Sequence, residues 1–212
     1  MTALKTEITR ADIIPLAEYA KERAARRKAL VEVKKHRRVS VGPYATFYFE
    51  NYDTMWQQIH EMLYIEKGGE EQIEDELRAY NPLIPKGREL VATVMFEIAD
   101  PVRRGAELGR LGGVEKTVTL RFAGHTVTAR PEEDLERTDE DGRTSAVHFL
   151  HFRFAPEQIA AFRAPGTEVV LGIGHSHYGH MAVMPEAMRA ELAGDFAEGA
   201  LLPSPYSNVS SL

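Results

Sequence analysis

Three of the eight histidines in the chain, His175, His177 and His180, fall within the stretch "LGIGHSHYGH", directly after the apolar run Val169-Val170-Leu171. Imidazole is the commonest protein metal ligand near neutral pH, so histidines gathered where a strand gives way to a turn are the first chemical signal to weigh. His175 and His177 are two residues apart and share a face if the strand continues, while Gly179 permits a turn that returns His180. A mononuclear site for one divalent metal ion would draw further ligands from His148, His151 or Glu97. Against this stands the ordinary role of a strand-end histidine as a satisfied hydrogen-bonding group.

A second candidate lies in "FENYDTMWQQIHEMLYIE". On a helix, Gln57, Glu61 and Tyr64 follow one another at spacings of four and three, and His60 stands one step aside. A carboxylate partly buried beside Trp56 and Met62 would have a raised pKa and serve as an acid or base, making Glu61, His60 and Tyr64 the candidate catalytic residues. The alternative is a structural carboxylate bonded to an arginine. The segment "DEDG" at 139–142 is no calcium loop, because Arg137 and His148 stand where the first and the bidentate ligands would be.

The pattern "HSHYGH" resembles the H-x-H-x-D-H metal motif of the metallo-β-lactamase superfamily but carries Gly179 at the aspartate position. Only 32 residues follow His180, too few for that superfamily's remaining ligands, and the reading is rejected.

Composition bounds the rest. The chain has 212 residues, 43% of them hydrophobic, and no cysteine. That is enough for a substantial core, and it excludes disulfides, thiolate nucleophiles and cysteine-held zinc or iron–sulfur clusters. No apolar run approaches the ~18 residues that span a bilayer, so a soluble, cytoplasmic protein is expected. Residues 1–38 hold 11 Lys/Arg against 5 Asp/Glu, and the remainder holds 15 against 27, for a net charge of −6. The basic run "KERAARRKALVEVKKHRR" offers a phosphate-binding face for RNA, or else a helix with solvated cations. An acidic remainder and the lack of interleaved aromatics argue against nucleic acid.

The positioning elements follow from periodicity. A helix is expected from about Ala11 to Lys35, started at Thr9 and Asp12. Alternation across Val39, Val41, Phe47 and Phe49, broken at Gly42-Pro43, gives a hairpin. Asp53 or Thr54 would cap a helix with the stripe Met55, Trp56, Ile59, Met62 and Leu63. "EEQIEDELRAY" reads as a helix, "ELVATVMFEI" as a strand, and Val118 to Ala129 as a hairpin turned at "AGH". "PEEDLERTDEDGRTS" reads as a solvated connection. In "AVHFLHFRF", His148 and His151 fall on opposite faces. Short helices at Pro156–Arg163 and Pro185–Ala193 flank the strand "TEVVLGIG". The fold class is α+β: a single domain over 1–199, with a mainly antiparallel sheet packed against the long N-terminal helix and a second amphipathic helix. Residues 200–212 read as a mobile tail unless a neighbouring subunit of a homo-oligomer holds them.

The stretches "RRVSVGPYATFYFENYDTMWQQIHEML", "ELRAYNPLIPKGRELVATVMFEI" and "VVLGIGHSHYGH" resemble the bacterial family known as domain of unknown function 3501, over about residues 8–196. Arg38, Gly42, Pro43, Phe49, Glu50, Asn51, Glu61, Met62, Asn81, Glu97, His175 and Tyr178 match its pattern, whereas His177 and His180 do not. The resemblance implies no activity. It does imply a genome setting beside rubrerythrin-like and iron–sulfur oxidoreductase genes, and hence a redox partner in oxidative-stress or electron-transfer biology. The leading expectation is a non-enzymatic accessory or ligand-binding protein. The alternatives are a metal-binding protein or metal-dependent enzyme at His175 and, more weakly, RNA binding.

Overall fold

In the computed structural model, residues 4–132 and 144–198 are described. The expected connection at 131–145 and the expected tail lie largely or wholly outside them. The N-terminal region differs from the single helix expected from Ala11. Thr9 and Asp12 close a capping box on a 3-10 turn at Arg10–Asp12, and helix α1 begins only at Leu16 and runs to Lys35. Pro15 explains the break, since it lacks an N–H and keeps Ile14 out of helical conformation. Of the 20 residues of α1, only Tyr19 is buried, and the helix reaches the core through its neighbour α2, not through a sheet.

Strands β1 (Arg38–Val41) and β2 (Ala45–Phe49) form the expected hairpin. Helix α2 (Tyr52–Glu66) is capped by Asn51, whose side chain accepts from Thr54 N at 3.0 Å. The cap is therefore Asn51 and not Asp53 or Thr54; Thr54 contributes the reciprocal hydroxyl, bonded to Asn51 N at 2.9 Å. Helix α3 (Glu70–Tyr80) and strand β3 (Glu89–Phe96) follow. Helix α4 (Pro101–Leu108), not anticipated from sequence, is capped by Asp100 with Pro101 at its first position. Strands β4 (Val118–Phe122) and β5 (His125–Thr128) join through Ala123 and Gly124, both at positive φ, as a tight two-residue hairpin requires. The chain continues with β6 (Arg130–Pro131), β7 (Val147–Arg153), α5 (Pro156–Arg163), β8 (Val169–His175), β9 (Tyr178–Val183) and α6 (Glu186–Leu192).

These strands make two antiparallel sheets, ordered β1-β2-β3-β7-β6 and β5-β4-β8-β9. One face of the first sheet, with Phe47, Phe49, Ala92, Val94, Leu150 and Phe152, packs on Leu120, Phe122, Leu171 and Ile173 of the second, closed by Phe162 of α5 and Leu192 of α6. The opposite face carries Val91 under Met55, Ile59 and Leu63 of α2 and Leu77 of α3. Spaced at four, those three α2 residues form the apolar stripe that seats the helix. The fold is thus α+β, with a helical layer on one sheet and a second sheet beneath it. Among the described residues no helix is long and apolar enough to cross a membrane.

Candidate functional site: a charged cleft at Arg37 and Asp195

The three-histidine stretch folds as the β8–β9 hairpin, with His175 paired to Tyr178 and His180 to Ile173. The His175 and His177 rings lie 5.8 Å apart, and His175 Nδ1 accepts from His177 N at 3.2 Å. His180 packs instead against Tyr178, with ring centroids 4.6 Å apart. The further ligands considered do not join them. His148 is buried between the sheets, its Nε2 2.8 Å from Ser145 O. His151 emerges on the other face of β7, as its register requires, with its Nε2 2.6 Å from Glu132 and its Nδ1 3.2 Å from Glu89. Burial alone would lower the His151 pKa, but the two carboxylates outweigh it and raise it. Glu97 accepts from the hydroxyls of Thr46 at 2.6 Å and Tyr48 at 3.1 Å. Among the described residues no three His, Asp or Glu side chains are placed to hold a metal ion.

The Glu61 cluster is a closed network between α1 and α2. Arg23 donates twice to Glu61, at 2.9 and 2.7 Å, and the buried Tyr19 hydroxyl donates at 2.6 Å. Gln57 Nε2 donates to Tyr19 and also to Glu61. The sequence suggested a raised carboxyl pKa. Arg23 instead pulls Glu61 down to about 2, against the cost of burial. Tyr64 lies under the Arg23 guanidinium, 4.7 Å from the ring centroid. His60 stacks on Trp56 at 3.7 Å, accepts from Ile14 N at 3.2 Å, and lies with Nδ1 2.7 Å from Trp56 O. These bonds fix the neutral tautomer, and burial lowers its pKa. Each candidate acid or base here is a structural partner.

An acid with a raised pKa faces a cavity elsewhere. Arg37, in the bend between α1 and β1, is 2% exposed. Its guanidinium donates to Phe49 O at 3.0 Å, Glu50 O at 3.1 Å and Glu191 at 3.2 Å, and also to Asp195. Asp195 is 6% exposed, and burial pushes its carboxyl up to about 6, more than the adjacent Arg37 can reverse. The pair opens on a cleft of about 370 Å³ that also includes Lys5, Asn51, Tyr52, Asp53 and Glu191. A second groove of about 470 Å³ shares Lys5, Tyr52 and Asp53 and continues past Trp56, Leu30 and Val33. A buried acid with a raised pKa in a cleft marks a candidate functional site. Sequence reading passed over both partners, because Arg37 sits inside a basic run and Asp195 is a lone acid in "LAGDFA".

No curated protein matches the chain. Its structure is similar to the crystal structure of a novel protein of unknown function from Burkholderia pseudomallei K96243, with a TM-score of 0.83 at 41% identity over 89% of this chain and 98% of that one. The model of the family described as "Protein of unknown function (DUF3501)" matches residues 7–196. The likeness in the β1–β2 hairpin, α2 and the β8–β9 hairpin thus extends through the whole described fold, and the chain belongs to that family.

Proposed function

We propose that this protein is a ligand-binding accessory protein that catalyses no covalent step of its own, with the Arg37–Asp195 cleft as its ligand site. The observation supporting this reading is the internal engagement of the acid–base candidates on α2, together with the bond that ties Asp195, the shifted acid of the cleft, to Arg37. Glu61 is saturated by Arg23, Tyr19 and Gln57, and both nitrogens of His60 are engaged by main-chain groups. A general acid or base must have its proton-transferring atom free to meet substrate. The genome setting implied by the family resemblance adds a redox partner, of the rubrerythrin-like or iron–sulfur oxidoreductase class.

The test is amide NMR of the full chain against a panel of small polar metabolites. Shifts confined to residues around Arg37, Asn51–Asp53 and Glu191–Asp195 are expected for a true ligand. Turnover of any panel member by the purified chain, abolished by Asp195→Asn or Glu61→Gln in a folded variant, would overturn the non-enzymatic reading.

A metal reading retains one supporting observation, the adjacent His175 and His177 rings. Two imidazoles fall short of the three or four ligands of a mononuclear site. Stoichiometric metal in protein purified without an affinity tag, lost on His175→Ala, would favour it.

A further inference from the structure

The two sheets end in four edge strands, β1, β6, β5 and β9. Three of these edges are blunted by charge, proline or polar side chains: β1 opens with Arg38, β6 is only Arg130–Pro131, and β5 turns Thr126 and Thr128 to solvent. The fourth is not. Strand β9, Tyr178–Val183, contains no Lys, Arg, Asp, Glu or Pro, and its Met181 and Val183 are 64% and 61% exposed.

The register shows which main-chain groups β9 leaves free. The hairpin closes with His175 opposite Tyr178, and Met184 N bonds to Val169 O at 2.8 Å. The even positions of β9 therefore bond inward to β8, and Gly179, Met181 and Val183 turn their N–H and C=O to the open edge. Among the described residues no main-chain group pairs with them. The same three residues share the outer face of the second sheet, where Met181 and Val183 border a concavity of about 840 Å³. Gly179 stands out among them. Its φ is not positive, and an added Cβ would meet nothing nearer than His175 O at 3.8 Å. Nothing within one chain requires a glycine there, and a strand glycine beneath open space marks a close approach from outside. Gly174, its neighbour on β8, widens the notch.

We propose that β9 pairs antiparallel with β9 of a second copy of this chain, about a two-fold axis at Met181, joining the two second sheets into one. In this register Met181 meets its own counterpart, and Val183 of each copy lies over Gly179 of the other. Knob and notch stand two residues either side of the axis, which is why a second copy fits better than an unrelated strand. The outward N–H and C=O groups of all three residues find reciprocal partners. Arg121 and Glu168, the charged groups bordering the concavity, are of opposite sign, so the facing surfaces bring no net charge together. The Arg121 guanidinium reaches Met181 Sδ from two strands inward and stays on the solvent side of the joined sheet. Strand β9 contributes no residue to the clefts near Arg37, so this surface stands independently of the ligand reading.

Sedimentation of the full chain, of monomer mass 23.8 kDa, tests the proposal. The interface is centred on one six-residue strand, so a dimer with a Kd of about 1–100 μM is expected. Gly179→Val has room for its Cβ within its own sheet and should fold, as checked by circular dichroism. Across the axis it meets Val183 twice, and dimerisation should weaken by about a hundredfold. Combining Gly179→Val with Val183→Gly exchanges knob and notch and should bring the Kd back to within about tenfold of the parent. Met181→Lys sets like charges face to face and should leave a monomer, whereas Thr126→Lys, the same added charge on the β5 edge, should leave the dimer intact. A parent that stays monomeric up to about 1 mM would overturn the proposal. So would a dimer indifferent to Gly179→Val and Met181→Lys, a dimer dissolved by Thr126→Lys, an exchange variant no better than Gly179→Val alone, or a mass that climbs past the dimer.

Discussion

The Tyr178 hydroxyl sits inside the turn that leaves Val41. It donates to Val41 O at 2.9 Å and accepts from Tyr44 N at 2.8 Å and Ala45 N at 2.9 Å. One side chain of the second sheet thereby completes the β1–β2 hairpin of the first. Tyr178→Phe leaves two N–H groups and a carbonyl without their partner and should cost about 2–3 kcal/mol in urea unfolding. A loss below about 0.5 kcal/mol, the range of an ordinary surface change, would show that water replaces the hydroxyl.

Gly42 makes the other half of that joint. Its φ is +71°, and an added Cβ would fall 2.6 Å from the His180 ring and 2.8 Å from the Tyr178 hydroxyl. Gly42→Ala should therefore destabilise by more than the ~1 kcal/mol expected from left-handed backbone alone. The excess should shrink in the double variant with His180→Ala, measured as a thermodynamic cycle.

The Arg23–Glu61 pair sets an acid limit on stability. The folded pKa of Glu61 is lowered from 4.5 to about 2, so its contribution is fully present above about 4.5 and is lost as the pH falls toward 2. At pH 7, Glu61→Gln should cost about 1–3 kcal/mol, less than the full shift implies because Arg23 keeps partial contact with solvent. Near pH 2 variant and parent should unfold at closely similar denaturant concentrations. A constant difference across that range would exclude the linkage.

His151 acts at the other side of neutrality. Its folded pKa is raised above 6.5 by Glu89 and Glu132, so the stabilisation is fully present below 6.5 and is lost as the pH rises through the folded value. The carboxyl of Glu89 is penalised by burial, but His151 outweighs this and lowers its pKa, so its share is lost in acid instead. Proton NMR of His151 should show a midpoint above 6.5, and Glu132→Gln should bring it down. A midpoint at or below 6.5 in the parent protein would contradict the arrangement.

The Asn51 cap gives a local test. Asn51→Ala should cost about 1 kcal/mol, whereas Asp53→Ala, at one of the two cap positions expected from sequence, should change stability by no more than about 0.5 kcal/mol. The reverse order in thermal unfolding would mean that the cap is misplaced.

What could be read from sequence was what short-range periodicity encodes. Alternation through Val39, Val41, Phe47 and Phe49 gave β1 and β2, and the stripe through Met55, Ile59 and Leu63 gave α2. The opposite facing of His148 and His151 followed from the strand period alone. The start of α1 was misjudged because the helix-start signal at Thr9 and Asp12 is real but serves a 3-10 turn cut short by Pro15. Glu61 was found, but its pKa was misdirected, since Arg23 lies 38 positions away and no local pattern announces the pair. The cleft was missed altogether because Lys5, Arg37, Asp53 and Asp195 come together only in the tertiary fold.

The Arg37–Asp195 bond spans 158 positions, and this separation bears on the order in which the protein matures. During synthesis the guanidinium of Arg37 and the carbonyls of Phe49 and Glu50 emerge long before their carboxylate. Any early collapse of β1, β2 and α2 must therefore leave that cation hydrated, or bury it without a counter-ion at a cost of several kcal/mol. Long-range closure of this kind is slow in entropic terms. Docking of the segment from α6 to Phe196, which also forms a parallel bridge to Gly87, becomes a late step that seals the first sheet. A nascent chain stalled before residue 195 would stay loose around Arg37 and be cleaved there by protease, and resumed synthesis through Asp195 and Phe196 would restore protection.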